Sequence, residues 1–297
     1  MSVAAKPVPL VRNRFVNVRQ AYDLALAGAL GAIFGLYLYV ELVRADSVLV
    51  RDALAGVAIG GAIGFFLNAS GPFRDGAWIK LSRASTWGAL AGAAGGALGL
   101  VLGESVIGWF QGGLIGRALS WAVLGLGIGV SQGLADRSRQ RLVYGLIGGG
   151  LGGLVGGYLF EWLRQSLGHR YNNSLGQGLG IVILGAGLGL FLALVEQVLR
   201  RAWIQVSSGR QEGRVYLLAR KVSAVGLDER AEVGLFGDRG VARRHAEIES
   251  TPKGYVLRNH APSGRTRVNG TVIDDTHVLS NGDRIELGQT LLVFRQR

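Results

Sequence analysis

Between residues 22 and 198 the chain alternates long apolar runs with short polar loops, and beyond residue 204 apolar and polar positions alternate singly in short runs. The first regime holds six runs: Tyr22–Val43, Ala53–Ala69, Thr86–Ile107, Ala118–Leu134, Leu142–Leu163 and Gly176–Val198. A helix of about 20 apolar residues crosses the hydrocarbon layer of a bilayer, so six transmembrane helices are predicted. The second run is short unless it starts at Leu49, and the fourth gains length if Arg117 snorkels to the interface. The second regime predicts strands over Arg214–Leu218, Lys221–Val225, Glu232–Leu235, His245–Ser250, Gly254–Arg258, Thr266–Val268, Thr271–Ile273, Arg284–Leu287 and Thr290–Phe294. Turn residues part them at Gly237-Asp238, Pro252-Lys253-Gly254, Asn269-Gly270 and Asn281-Gly282-Asp283. Asn-Gly between two short strands makes a hairpin turn, and nine strands in so short a stretch predict an all-β sandwich.

The apolar runs also repeat one another. Even-numbered runs carry Gly60 with Gly64, Gly125 with Gly129 and Gly185 with Gly189, each pair four residues apart in the same apolar setting. Odd-numbered runs place glycines ahead of Glu41, Glu104 and Glu161. This pattern predicts three tandem helical hairpins of about 60 residues, running parallel because each contains an even number of crossings. Glycines four apart leave a helix face without side chains, where another backbone can approach closely. Such a face serves packing inside one bundle, contact with a second copy of the chain (a homo-oligomer), or the wall of a central pathway. The three glutamates fall near the predicted outer ends, where a carboxylate stays hydrated. Only Ser120, Ser131 and Gln132 are singled out as polar residues inside the runs, too few to mark a solute path.

Charge sets the orientation. Lys6, Arg12, Arg14 and Arg19 precede the first run, Arg74, Lys80 and Arg83 follow the second, and Arg137, Arg139 and Arg141 follow the fourth. In the alternating loops, acids offset the basic residues: Asp46 and Asp52 face Arg44 and Arg51, Glu104 faces Arg117, and Glu161 partly balances Arg164 and Arg170. The positive-inside rule then puts both termini in the cytoplasm of a multi-pass protein of the bacterial inner membrane. The first run is too long for a cleavable signal and is expected to stay as an anchor. Residues 70–85, with Trp78, Ile79 and Leu81 among basic residues, are expected as an inner-leaflet loop. The expected division is residues 1–20, a basic cytoplasmic N-terminus; 21–200, the glycine-rich helices; and 205–297, the cytoplasmic sandwich.

Of 49 glycines, eleven lie beyond residue 204, and no cysteine is present. Disulfide and thiolate chemistry are thereby excluded. The four histidines, 169, 245, 260 and 277, lack metal-ligand spacing, and neither a nucleophile with its base nor a phosphate-cradling loop is found. No catalytic residue, metal or cofactor is expected. Although the formal net charge is +12, the arginines collect in loops between apolar runs rather than in a stripe with aromatics, so no nucleic acid partner is expected.

Residues 213–295 carry Val225-Gly226, Arg243-x-His245-Ala246, Val268-Asn269-Gly270 and Gly282-Asp283 in order. This succession resembles the forkhead-associated (FHA) family, whose β-sandwich holds phosphothreonine peptides in the loops at one end. The resemblance implies that an Arg should follow Gly226, a Ser should stand at 242 and an Asn at 264. The chain has Leu227, Ala242 and Gly264 instead. Arg243, Arg244, Arg265, Ser263 and Asn269 are the residues left to grip a partner, while His245, Thr266 and Gly270 are expected to hold loops in place. A phosphate of nearly two charges needs a guanidinium and hydroxyl or amide donors converging on it. The sequence therefore predicts a membrane-anchored scaffold or adaptor whose degenerate FHA-like domain binds a protein, phosphorylated or not. The rival reading is a small ion channel or transporter with a regulatory FHA-like domain.

Overall fold

The computed structural model describes residues 18–109, 114–136, 138–168, 173–262 and 265–297. Lys6, Arg12, Arg14, Arg137, His169, Arg170, Ser263 and Gly264 lie outside the described residues, as does the side chain of Glu104.

Six helices come first: α1 Val18–Leu42, α2 Val48–Asp75, α3 Trp78–Trp109, α4 Leu114–Asp136, α5 Arg139–Gly168 and α6 Asn173–Leu199. All six are long and apolar enough to cross a membrane. They outrun the apolar runs because polar residues at their ends continue the hydrogen-bond ladder. The expected loop at 70–85 is corrected accordingly: α2 continues through Pro72 to Asp75 and α3 starts at Trp78. Between them Gly76 takes a left-handed φ of 68°, and the N–H groups of Gly76 and Ala77 close on Phe73 O and Pro72 O, both at 3.1 Å. That bond pattern ends a helix sharply.

Each helix packs on its neighbours in sequence, and α6 packs back on α1, so the six close into a ring. Glycine decides the spacing. A Cβ on Gly64 would lie 2.1 Å from Gly88 O, one on Gly129 2.0 Å from Gly145 O, and one on Gly189 2.0 Å from Leu24 O. Gly60, Gly125 and Gly185 meet Gly92, Gly149 and Gly28 in the same way. The glycine pairs of the even helices therefore abut the following odd helix, α2 on α3, α4 on α5 and α6 on α1. Ile59 and Ile63, Leu124 and Ile128, and Leu184 and Leu188 are buried in one core shared by α2, α4 and α6.

Two residues after α6 the chain enters a β-sandwich. Its strands are β1 Ala202–Ser208, β2 Val215–Leu217, β3 Val222–Gly226, β4 Val233–Gly234, β5 Ala246–Thr251, β6 Gly254–Asn259, β7 Thr266–Val268, β8 Thr271–Val272, β9 Thr276–Leu279, β10 Arg284–Leu287 and β11 Thr290–Gln296. One sheet has the order β2-β1-β11-β10-β7-β8 and the other β4-β3-β5-β6-β9. The alternating residues Ile204, Val206, Ile248, Leu257, Ile285, Leu287, Leu292 and Phe294 fill the space between the sheets. Strands β1 and β9 are additions to the nine expected. Ala202-Trp203, directly after the basic pair Arg200-Arg201, opens β1, which pairs with β2 and β11.

Candidate functional site

The end of the sandwich that carries the expected site is built by three loops: β3–β4 (227–232), β4–β5 (235–245) and β6–β7 (260–265). Backbone bonds lock the first two together. Leu227 N–H donates to Ala242 O and Asp228 N–H to Arg243 O, both at 3.1 Å, while His245 N–H donates to Val225 O at 3.0 Å. Gly226 permits this approach, since a Cβ there would lie 2.3 Å from Arg243 O and 2.8 Å from Ala242 O. Positions 227, 242 and 243 are thus brought side by side.

His245 pins the frame. It is fully buried, and its Nδ1 accepts the Ala242 N–H at 3.0 Å. The remaining nitrogen, Nε2, therefore carries the proton and donates to Thr266 Oγ1 at 3.1 Å. Thr266 in turn donates to Asn259 Oδ1 at 2.6 Å. Asn259 Nδ2 reaches Ala261 O and Ile273 O, both at 3.1 Å, and so fixes the start of the β6–β7 loop. Burial, the largest influence, pushes the His245 imidazole below its ordinary 6.5, and the nearby Arg265 guanidinium pushes the same way. A neutral ring suits the Ala242 N–H, which needs an acceptor.

Asp238 is the second lock, unnoticed from sequence except as part of a Gly-Asp turn. It accepts from Gly240 N–H at 2.9 Å, Gln289 N–H at 2.8 Å and Thr290 Oγ1 at 2.7 Å. Burial works to raise its carboxyl, but these bonds together hold it below the usual carboxylate range. The β4–β5 loop is thereby tied to the β10–β11 turn. Asn259 was missed as well, because its bonds to Ala261, Thr266 and Ile273 form only once the β6–β7 and β8–β9 connections fold over it.

Set in that frame, the expected binding residues separate into groups. Leu227 is half-buried and packs against the sandwich core, so an apolar side chain takes the place of the guanidinium. Ala242 contributes backbone only. Arg243, Arg244 and Arg265 are exposed, as is Arg239 in the same β4–β5 loop. Asn269 does not join them. It adopts φ 53° in the β7–β8 turn, where its Nδ2 donates to Asp283 Oδ1 at 2.9 Å and its Oδ1 accepts Arg284 N–H at 3.0 Å. These two bonds hold β7 to β10, away from the three arginines, while the side chain remains exposed. Ser263 and Gly264 are outside the described residues.

The same end of the domain touches the helices. Ile79 N–H, in the first turn of α3, donates to Glu229 Oε2 at 3.0 Å, and Lys80 Nζ to Ala231 O at 3.4 Å. Both acceptors belong to the β3–β4 loop. Ser138, just ahead of α5, donates to Ala219 O at 2.9 Å, and Arg214 pairs with Asp75.

At the opposite end of the helix bundle, Glu41 and Glu161 sit in different surroundings. Glu41 is exposed, whereas Glu161 is only 1% exposed. Glu161 accepts Arg164 Nε at 2.9 Å, Arg164 Nη2 at 2.6 Å and Gln165 Nε2 at 2.7 Å. Its expected hydration is corrected: local bonding replaces water. Ser120 and Ser131 donate back to Gly116 O at 3.1 Å and Ile128 O at 2.5 Å on their own helix.

A family model described as "Inner membrane component of T3SS, cytoplasmic domain" (Yop-YscD) matches residues 205–297. Among solved structures, the FhaA FHA domain in complex with the intracellular domain of Rv3910 is 30% identical, covering 32% of this chain and 99% of that one, with a TM-score of 0.29. An FHA domain from work on phosphothreonine-dependent interactions is 29% identical, covering 33% of this chain and 97% of its own, with a TM-score of 0.30. The cytoplasmic domain of the T3SS sorting platform protein PscD from P. aeruginosa is 24% identical, covering 32% of this chain and 80% of its own, with a TM-score of 0.30. No curated protein matches the chain.

Proposed function

We propose that this chain, whose C-terminal third is an FHA-like domain, is a membrane-anchored scaffold that recruits a protein partner to the inner face of a bacterial membrane. Three repeated helical units span the bilayer, both termini lie inside, and the domain works in the cytoplasm. The packing of α1 supports the anchor. Large side chains face outward there (Leu30, Ile33, Phe34 and Tyr37 are 46–59% exposed), while Ala27, Gly28, Gly31, Ala32 and Gly35 are buried. Water would drive the reverse arrangement; lipid rewards close backbone contact between small residues. The description of the matching family, an inner membrane component with a cytoplasmic domain, supports the same address.

Recruitment is favoured over conduction because Ile59, Ile63, Leu124, Ile128, Leu184 and Leu188 are buried in one apolar cluster within the ring. One observation carries the mode of recognition. The loop frame of the domain is intact, with His245, Thr266 and Asn259 bonded in series, yet the side chain at 227 packs into the core instead of facing a phosphate. What this end offers is exposed guanidinium groups on Arg243, Arg244 and Arg265, suited to an acidic surface on a folded or extended partner.

The test is crosslinking and capture with the full chain in native membranes, comparing wild type with the triple variant Arg243→Ala, Arg244→Ala, Arg265→Ala. A partner held by wild type and lost by the variant, with capture unaffected by phosphatase, is expected. Capture unchanged in the variant would refute the site, and capture lost on phosphatase treatment would replace it with phosphothreonine recognition.

A further inference from the structure

Where the sandwich meets the ring of helices, a cavity of about 400 Å³ opens at the level of the helix ends. Six cationic side chains line it: Arg19, Arg74, Lys80 and Arg141 from the helices, with Arg210 and Arg214 from the β1–β2 connection. Four carboxylates share the lining, those of Asp75, Glu196, Glu212 and Glu232. Several of these groups are matched: Arg214 with Asp75, Arg74 with Asp23, and Glu232 with Arg220. Adding Asp23 and Arg220, which stand outside the lining, leaves the balance unchanged at two surplus positive charges. Arg19, Arg74 and Arg214 crowd one lining, which makes that surplus costly. A group bearing negative charge would relieve it.

The position selects the chemistry. The cavity lies at the ends of α2 and α6 and the starts of α1, α3 and α5, on the side of the bundle that carries the sandwich. If the six helices span a bilayer, this is the depth of the inner-leaflet headgroups, where anionic phospholipids attract basic clusters. Hydrogen-bond donors are also abundant, because each guanidinium presents a fork of N–H groups that suits phosphate oxygens.

We propose that this cavity binds a phosphate-bearing anion, which bridges the helices and the sandwich through Arg19 and Arg210. A phospholipid headgroup and a soluble phosphate share that chemistry, and the experiment separates them. The full chain is reconstituted in nanodiscs of phosphatidylcholine containing phosphatidylglycerol, and retained lipid is counted by native mass spectrometry. A parallel arm uses phosphatidylcholine alone, with inorganic phosphate titrated against thermal unfolding. Retained phosphatidylglycerol identifies the headgroup; a phosphate-dependent rise in the unfolding midpoint, with no lipid retained, identifies the soluble anion.

Arg19 and Arg210 are exposed, so Arg19→Gln with Arg210→Gln leaves the fold in place. This pair of changes is expected to weaken retention, or the phosphate-dependent shift, by at least about tenfold, the loss of one charge-assisted bond. Glu212→Gln, also at an exposed position, removes a carboxylate from the lining and is expected to strengthen it. Equal retention of both lipids together with no phosphate-dependent shift overturns the proposal. So does binding that neither the double change nor Glu212→Gln alters.

Discussion

Replacing Gly64, Gly129 or Gly189 by alanine adds one methyl group where the ring of helices has no room for it. The new carbon would stand 2.1, 2.0 and 2.0 Å from Gly88 O, Gly145 O and Leu24 O. A carbon rests against a carbonyl oxygen at about 3.3 Å, so each helix pair must part by more than about 1 Å. Because the obstacle is backbone, no rotamer change relieves it. Overpacking of this kind costs up to about 3 kcal/mol, and the better helix propensity of alanine returns about 1 kcal/mol. A net loss of about 2 kcal/mol is expected at each of the three sites. Gly71 is the control: it lies in the same helix as Gly64, and a methyl group there meets nothing within 4 Å. Alanine at 71 is expected to be neutral or stabilising by up to about 1 kcal/mol. Unfolding of the full chain in mixed micelles, followed by loss of helical circular dichroism, measures all four. If Gly71→Ala proves as damaging as the other three, close backbone contact is not what sets the spacing of the ring.

Three further outcomes are expected. The triple change Leu227→Arg, Ala242→Ser, Gly264→Asn should confer phosphothreonine-peptide binding at least about a hundredfold tighter than wild type, since two charge-assisted bonds contribute about 3–6 kcal/mol; fluorescence anisotropy reads it, and tight wild-type binding would contradict the account of Leu227. The folded-state pKa of His245 lies below its ordinary 6.5, so the unfolded chain takes up the proton first as pH falls. Its stabilising effect is complete above about pH 6.5 and declines below it. Urea titrations read by proteolysis of the domain should show that decline, and His245→Gln should flatten this part of it. Glu161→Gln should destabilise the helices by about 3 kcal/mol, because it leaves Arg164 without its carboxylate, whereas Glu41→Gln should change neither stability nor ion flux in liposomes; a flux abolished by either change would favour a channel.

The elements with a strong period could be read from sequence, and those without one could not. Ile285, Leu287, Leu292 and Phe294 alternate cleanly, and β10 and β11 fall where they predict. In β9 only Leu279 is buried while Val278 is exposed, which leaves no alternation to detect. Strand β1 was hidden because Trp203 and its flanking arginines also fit a membrane boundary. At the site, the substitutions at 227 and 242 were legible as departures from a motif. The bonds of Asp238 to Gln289 and Thr290 were not, because they join residues more than fifty positions apart. Glu161 illustrates a different limit: its charge balance with Arg164 was visible, but its burial depends on how the helices pack around it.

The closure of α6 onto α1 has a consequence for assembly. Gly185 and Gly189 meet Gly28 and Leu24 as tightly as the other glycine pairs meet their partners, so the ring has no seam at which a foreign helix could substitute for a missing neighbour. Large side chains such as Leu30, Ile33 and Phe34 face outward from the ring instead, and any contact between copies through the helices would form there. The bundle is thus closed on itself, and its glycine faces are spent on contacts within one chain.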